Sequence, residues 1–320
     1  MIRRLLQGVV LLVAIALAPM VPHAQSARPS TLIDSVQLLR DLEALSSDDM
    51  QGRQVDTPGG AKARAYIVEH FKASGVVPFG QSYDEAFVFA SGRRNGAAQI
   101  HGVNVVGHID GARTPRRYIV VSAHYDHLGV RNGVVYKGAD DNASGTAALF
   151  AVAKHFSAHP PLNSLLFVAF DGEEANLRGS MAFVREPPVA QSAMAIDLNM
   201  DMIGRDPNDK LFVVGTHTQP GLKPWIEQIA AKAPVKLLTG HDDPAQKAVE
   251  DWTKDSDHYA FMQAKIPALY FGVEDFDQHH KPTDAYQTMT LDFYVRAVET
   301  IVQIVDVFDA NLDAIAATRF

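Results

Sequence analysis

Four short apolar runs, at 118–122, 165–170, 195–200 and 266–271, each lead into a segment carrying acidic or histidine side chains. No other feature constrains the fold as much. Near-continuous hydrophobicity over five or six residues describes strands buried on both faces, as in a sheet covered by helices on two sides. Between and after these runs, apolar residues at three-to-four spacing predict helices over 143–156 and 225–232. A long final helix is predicted through Leu291, Tyr294, Val298, Ile301, Val305 and Phe308. Nearer the N-terminus, Thr57 and Pro58 suit an N-cap and first helical residue. Ala61, Ala65, Val68 and Phe71 keep the helical period, and Gly75 ends it; this segment reads as core packing. Strands alternating with helices define an α/β fold, in which ligands bind beyond the carboxyl ends of the strands. No Pro/Gly/Ser-rich linker or internal repeat divides the sequence, so residues 25–320 read as one domain.

A net charge of −8, with Lys and Arg scattered, leaves no electrostatic footprint for a phosphate backbone and speaks against a nucleic-acid partner. The chain has no cysteine, which excludes disulfides, a thiol nucleophile and thiolate metal ligands. Arg3 and Arg4 precede a mostly apolar stretch over 5–21, followed by Ala24, Gln25 and Ser26. Residues 1–24 therefore read as a secretory signal, with cleavage after Ala24, although Pro22 fits the cleavage pattern poorly. The stretch falls short of the ~20 residues needed to span a bilayer, which disfavours an uncleaved anchor. The expectation is an exported protein, periplasmic or secreted, without stable membrane association.

Five segments carry the chemistry. His124 stands at the end of the first apolar run with Asp126 two residues on, a near-sequence candidate to hold its second ring nitrogen. Gly-Ala-Asp-Asp-Asn-Ala-Ser-Gly at 138–145 leads into a helix. One aspartate suits an N-cap, but two adjacent carboxylates in a packed turn repel unless a cation or donors satisfy them. Glu173 and Glu174 follow the apolar run at 165–170 and point differently, so one suits a metal and the other a general base. Asp201 lies among Met200, Met202 and Ile203, where an unpaired charge is costly to bury. In the polar loop 278–284, His280 is a further candidate ligand and Asp284 a candidate to orient it. All these donors are nitrogen or oxygen, which suits zinc or another divalent ion in a dinuclear site, where a shared carboxylate clamps a hydroxide between two ions.

In combination and order these segments resemble the dinuclear zinc aminopeptidases, a family that also includes glutamate carboxypeptidases and glutaminyl cyclases. The resemblance spans essentially the whole of 25–320 and implies a mixed, mostly parallel central sheet with helices on both faces, of zinc-exopeptidase type. It makes His124 and Asp201 terminal ligands of one Zn2+ and Glu174 and His280 terminal ligands of a second. Asp141 bridges them, chosen over Asp140 because it stands four residues before Gly145. Glu173 matches the general base and Asp126 the aspartate behind the first histidine. The implied activity is hydrolysis of the N-terminal peptide bond of peptides by a bridged hydroxide. His279 stands where some relatives carry a tyrosine that assists the oxyanion. His258, in Ser256-Asp257-His258, matches a recurrent family segment and suits either a supporting or a substrate-contact role.

Other classes fit less well. The Gly-x-Ser-x-Gly elbow of serine hydrolases is absent, as are Gly-x-Gly-x-x-Gly and phosphate-loop signatures. A receptor-like protein on this fold is disfavoured because all five ligands and the base are present together. Within the family, carboxypeptidase, dipeptidase and glutaminyl cyclase activities use nearly the same ligands and stay open, as does the oligomeric state.

Overall fold

The computed structural model describes residues 29–92, 98–113 and 116–317. The signal segment expected over 1–24 lies outside the described residues. Among those described, α1 (Ser35–Leu45) and α2 (Pro58–Ala73) precede β1 (Asp84–Ala90), β2 (Gln99–Ile109) and β3 (Tyr118–His124). A small hairpin, β4 (Val130–Arg131) with β5 (Val134–Val135), precedes α3 (Gly145–Ala158), β6 (Ser164–Phe170), α4 (Arg178–Arg185) and β7 (Met194–Met200). The chain continues through β8 (Lys210–Val214), α5 (Lys223–Ala230), β9 (Lys236–Thr239), α6 (His258–Gln263), β10 (Ala268–Gly272) and α7 (Leu291–Ala317).

Eight strands form one sheet in the order β1-β2-β6-β3-β7-β10-β8-β9. The centre, β6-β3-β7-β10, is parallel, as is β8 with β9, while β1–β2, β2–β6 and β10–β8 pair antiparallel. The expected mixed, mostly parallel sheet is therefore present. All four apolar runs are strands in its parallel centre, and β3, β6, β7 and β10 are buried along their whole length.

Alternate side chains of those strands enter opposite layers, as the period of two requires. Ile119, Val121, Leu165, Phe167, Leu198 and Phe271 join the larger core with residues of α1, α2, α3, α5 and α7. Val120, Leu166, Val168 and Phe170 face Phe183 of α4 and Phe261 of α6. Helices thus cover both faces. The helix expected from Thr57 forms as α2: the Thr57 hydroxyl accepts from the Gly60 N–H at 3.3 Å, Pro58 occupies the first turn, and Gly75 follows the C-cap at φ +76°. No helix among the described residues is long and apolar enough to cross a membrane.

The antiparallel pair β1–β2 is absent from the sequence reading. Side chains of β1 alternate only between exposed and half-buried, and no acidic or histidine cluster follows its apolar run at 86–90, so it stands apart from the four runs that mark the buried strands. The helix expected over 143–156 starts later, because 139–144 form an irregular turn before α3 begins at Gly145.

Candidate metal centre

The parallel topology gathers the carboxyl ends of β3, β6, β7 and β10 on one edge of the sheet, and the predicted donors follow those ends. β3 delivers His124, whose carbonyl is tied down by the Thr146 hydroxyl at 2.8 Å. Its Nε2 lies 3.1 Å from Asp201 Oδ1 and 3.5 Å from Asp141 Oδ1. Asp201 follows β7, and its N–H donates to the Phe271 carbonyl at 3.1 Å.

The acidic turn sorts its two aspartates. Asp140 turns away and accepts from the Gly204 N–H at 2.7 Å. Asp141 turns inward, its Oδ2 lying 3.3 Å from His280 Nε2, 3.5 Å from His127 Nδ1 and 3.7 Å from His279 Nε2. Glu174, beyond β6, approaches His280 Nε2 at 3.0 Å with Oε2 and His127 Nδ1 at 2.8 Å with Oε1. Among the described residues, Asp141 is thus the member common to every three-residue donor group within metal-binding reach: with His124 and Asp201, with His127 and Glu174, and with His279 and His280.

The donors present fit a metal. Asp141 Oδ2, Glu174 Oε1 and both ring nitrogens of His127 are buried without a hydrogen-bond partner, and such groups are costly to leave unsatisfied. The set consists of imidazole and carboxylate, which suits zinc.

Electrostatics hold the carboxylates in different states. Burial pushes the Glu173 carboxyl well above the usual carboxylate range; His124 opposes this, and Asp201, Asp257 and Glu174 reinforce it. Burial would raise Glu174 too, but the adjacent His127 and His280 rings outweigh it and leave that carboxyl depressed. For His124 burial favours the neutral ring, yet the charges of Asp201 and Glu173 win and raise its pKa. Two adjacent glutamates are thereby given opposite proton affinities, a division that suits one to handle protons and the other to bind a cation.

Three supporting residues differ from expectation. Behind His124 Nδ1, the Asp126 carbonyl at 3.2 Å is nearer than the Asp126 carboxylate at 3.7 Å. That carboxylate accepts from the Glu173 N–H at 3.0 Å and so positions the Glu173-Glu174 pair as well. Asp284 does not orient His280, whose ring points to Asp141 and Glu174. The Asp284 carboxylate instead accepts from the Asp140 and Asp141 N–H groups at 2.9 and 3.0 Å and from the Arg205 guanidinium at 2.6 Å. His258 is fully buried with its pKa pushed down to about 4 by that burial. It stacks on Tyr270 at 5.0 Å behind the cavity wall rather than lining it.

Arg53 and His127 have no assigned role in the sequence reading. Arg53 is wholly buried and donates to the carbonyls of Tyr125 (2.8 Å), Leu45 (2.7 Å), Lys137 (2.6 Å) and Gly138 (2.8 Å). It ties the end of β3 to the acidic turn. Its acceptors are backbone atoms scattered over the chain, so no sequence signal marks them. His127 had a signal, since it sits in the same pentapeptide as His124 and Asp126.

The centre opens on a cavity of about 410 Å³. Asp141, Glu173, Glu174, Asp201, His279 and His280 form its floor and one side. Met202, Trp252, Tyr270, Val273 and Phe276 add apolar wall, while Glu250, Asp255 and Asp275 add carboxylates. His279 and His280 are about half exposed at its edge. A larger cavity of about 510 Å³ between α1, α2 and α3 lies away from these donors.

A two-sided α/β sheet whose strand ends converge on a shared carboxylate, with a high-pKa glutamate beside it, is the arrangement of a zinc metallopeptidase. Comparison with known proteins places it more narrowly. The model of Peptidase family M28 matches residues 104–305, and the chain belongs to that family. It is 26% identical over 212 residues to a probable zinc metalloprotease of Pyrenophora tritici-repentis, covering 56% of this chain and 44% of that protein. The chain spans about half the length of the first curated relatives it matches.

Solved structures share the fold. A zinc aminopeptidase from Bacillus subtilis superposes with a TM-score of 0.67 at 15% identity, over 88% of this chain and 96% of that one. Porphyromonas gingivalis glutaminyl cyclase gives 0.70 at 16% identity, over 87% and 99%.

Proposed function

We propose that the chain is an exported aminopeptidase that hydrolyses the N-terminal peptide bond of peptides with two zinc ions and Glu173 as general base. One observation carries the dinuclear reading: the two oxygens of Asp141 face different partners, Oδ1 toward His124 and Oδ2 toward His280. His124 and Asp201 would hold one ion, Glu174 and His280 the other, and Asp141 both. Bound zinc supplies Lewis acidity toward the scissile carbonyl and makes water a nucleophile near neutral pH.

The protein's own residues do the rest. Asp126, accepting from the Glu173 N–H, fixes the base at the floor of the cavity. Its raised proton affinity lets Glu173 take a proton from the attacking water and pass it to the departing amine. Asp284, held by Arg205, fixes the turn that carries Asp141.

The cavity wall favours a free amine over a free carboxylate at the substrate terminus. Glu250 and Asp255 present carboxylates, Asp275 being paired with Arg205, and no Lys or Arg is among the described lining residues. A carboxypeptidase needs such a cation for the terminal carboxylate.

The reading is tested on aminoacyl-p-nitroanilides, their N-acetylated versions, peptides with a blocked N-terminus and free C-terminus, and peptides beginning with glutamine. Cleavage confined to free-amine substrates is expected. Release of C-terminal residues from blocked peptides would make the protein a carboxypeptidase, and pyroglutamate formation would make it a cyclase.

A further inference from the structure

We propose that His127 is a fourth protein donor at the Glu174/His280 position, so that the two metal positions differ in kind. The position at Asp141, Glu174, His280 and His127 would have four protein groups. The position at His124, Asp141 and Asp201 has three and keeps an open place for water and substrate. This rests on the dinuclear reading above.

The spacing supports direct ligation. Donors about 2.0–2.1 Å from a tetrahedral zinc stand roughly 3.3–3.4 Å from one another. His280 Nε2 is 3.3 Å from Asp141 Oδ2 and 3.0 Å from Glu174 Oε2. His127 Nδ1 is 3.5 Å from the same Asp141 oxygen and 2.8 Å from Glu174 Oε1. His127 therefore faces the same two carboxylates as His280, at separations that donors sharing one ion can have.

A plain hydrogen bond to Glu174 explains the arrangement less well. Although 2.8 Å is a hydrogen-bond length, both His127 Nδ1 and Glu174 Oε1 are buried without a hydrogen bond, because the contact lacks the alignment one requires. The ring is wholly buried, so water does not serve it from bulk. The chain also reserves space for it: a Cβ added at Gly138 would come within 2.6 Å of His127 Cγ and Cδ2. Gly138 holds a left-handed φ of +53° there, which costs glycine little.

Two measurements test the proposal. In a crystal structure of the zinc-loaded full chain, located by anomalous scattering, His127 Nδ1 is expected within about 2.0–2.2 Å of the zinc that also contacts Glu174 and His280. Nδ1 standing more than about 3 Å from that zinc while donating to Glu174 overturns it. In solution, metal-free wild type, His127→Leu and His127→Gln are titrated with zinc, with circular dichroism under chelator confirming that each variant is folded. Wild type is expected to take up two zinc ions. Both variants should keep one and bind the second more than about 100-fold more weakly, beyond what loss of an outer hydrogen-bond partner usually costs. Two zinc ions bound with wild-type affinity by a folded His127→Gln overturns the role of His127 and leaves the aminopeptidase reading standing. Fewer than two in wild type overturns both.

Discussion

Replacing Arg53 should destabilise the fold as much as a large deletion in the apolar core. The guanidinium is wholly buried and makes four hydrogen bonds of 2.6–2.8 Å to carbonyls of Tyr125, Leu45, Lys137 and Gly138. At about 1.5–3 kcal/mol for each charged hydrogen bond, the gross loss in Arg53→Met is on the order of 6–12 kcal/mol. Relief of burial opposes it. Burial lowers the Arg53 pKa from 12.5 to about 10, with Asp141, Asp284, Asp126 and Glu174 acting the other way. At 1.36 kcal/mol per unit that relief is worth about 3 kcal/mol. A net loss of about 3–5 kcal/mol is expected, since local relaxation rehydrates some of the carbonyls. Arg53→Lys keeps the charge with fewer donors and a different shape, and should fall in between. Urea unfolding of the chelated proteins, followed by circular dichroism, reads the difference directly. Arg53→Met within about 0.5 kcal/mol of wild type would refute the view that this side chain clamps the site loops together.

Asp284→Asn retains the shape but puts an amide where two backbone N–H groups and Arg205 now donate to a carboxylate. It should cost about 3–5 kcal/mol in the same assay and weaken zinc binding through Asp141; an unchanged zinc titration would contradict that link. Burial lifts the Glu85 carboxyl from 4.5 to about 7, so the folded state disfavours its ionised form. The penalty is absent below pH 4.5, grows between 4.5 and 7 and is complete above 7. Glu85→Gln should therefore stabilise by about 1 kcal/mol at pH 8, after discounting for partial exposure, with the gain vanishing toward pH 4.5; a gain independent of pH would refute it. Chelation of zinc should lower the melting temperature by on the order of 10 °C, and an unchanged melting curve would show that the metal contributes nothing to the fold.

The parallel centre of the sheet was legible in the sequence because burial on both faces writes itself as a continuous apolar run. Phe170 and Met200 close two such runs within a few residues of Glu174 and Asp201. The edge strand β1 went unread although 86–90 is apolar, since neither of its faces is buried and no acidic or histidine cluster follows it. Of the site, the five ligand candidates were visible as residue types at strand ends, in the acidic turn 138–145 and in the loop 278–284, and the structure brings all five together. What escaped was the set of long-range contacts. Asp284 serves the backbone of a turn more than 140 residues earlier, and Arg53 serves carbonyls in three separate segments. His127 was obscured because an imidazole beside Asp126 reads as a simple polar pair until Glu174 folds against it. Main-chain acceptors and distant carboxylates leave no mark on local residue patterns.

The central claim is that Asp141 joins two zinc positions beside Glu173 acting as base. It is tested most directly by measuring zinc content and kcat/KM on free aminoacyl-p-nitroanilides for wild type and Glu173→Ala side by side. Two zinc ions per chain in both proteins, with activity reduced about 10²–10⁴-fold in the variant, is the predicted result. Fewer than two zinc ions in wild type, or wild-type activity in a Glu173→Ala protein holding two, would contradict it.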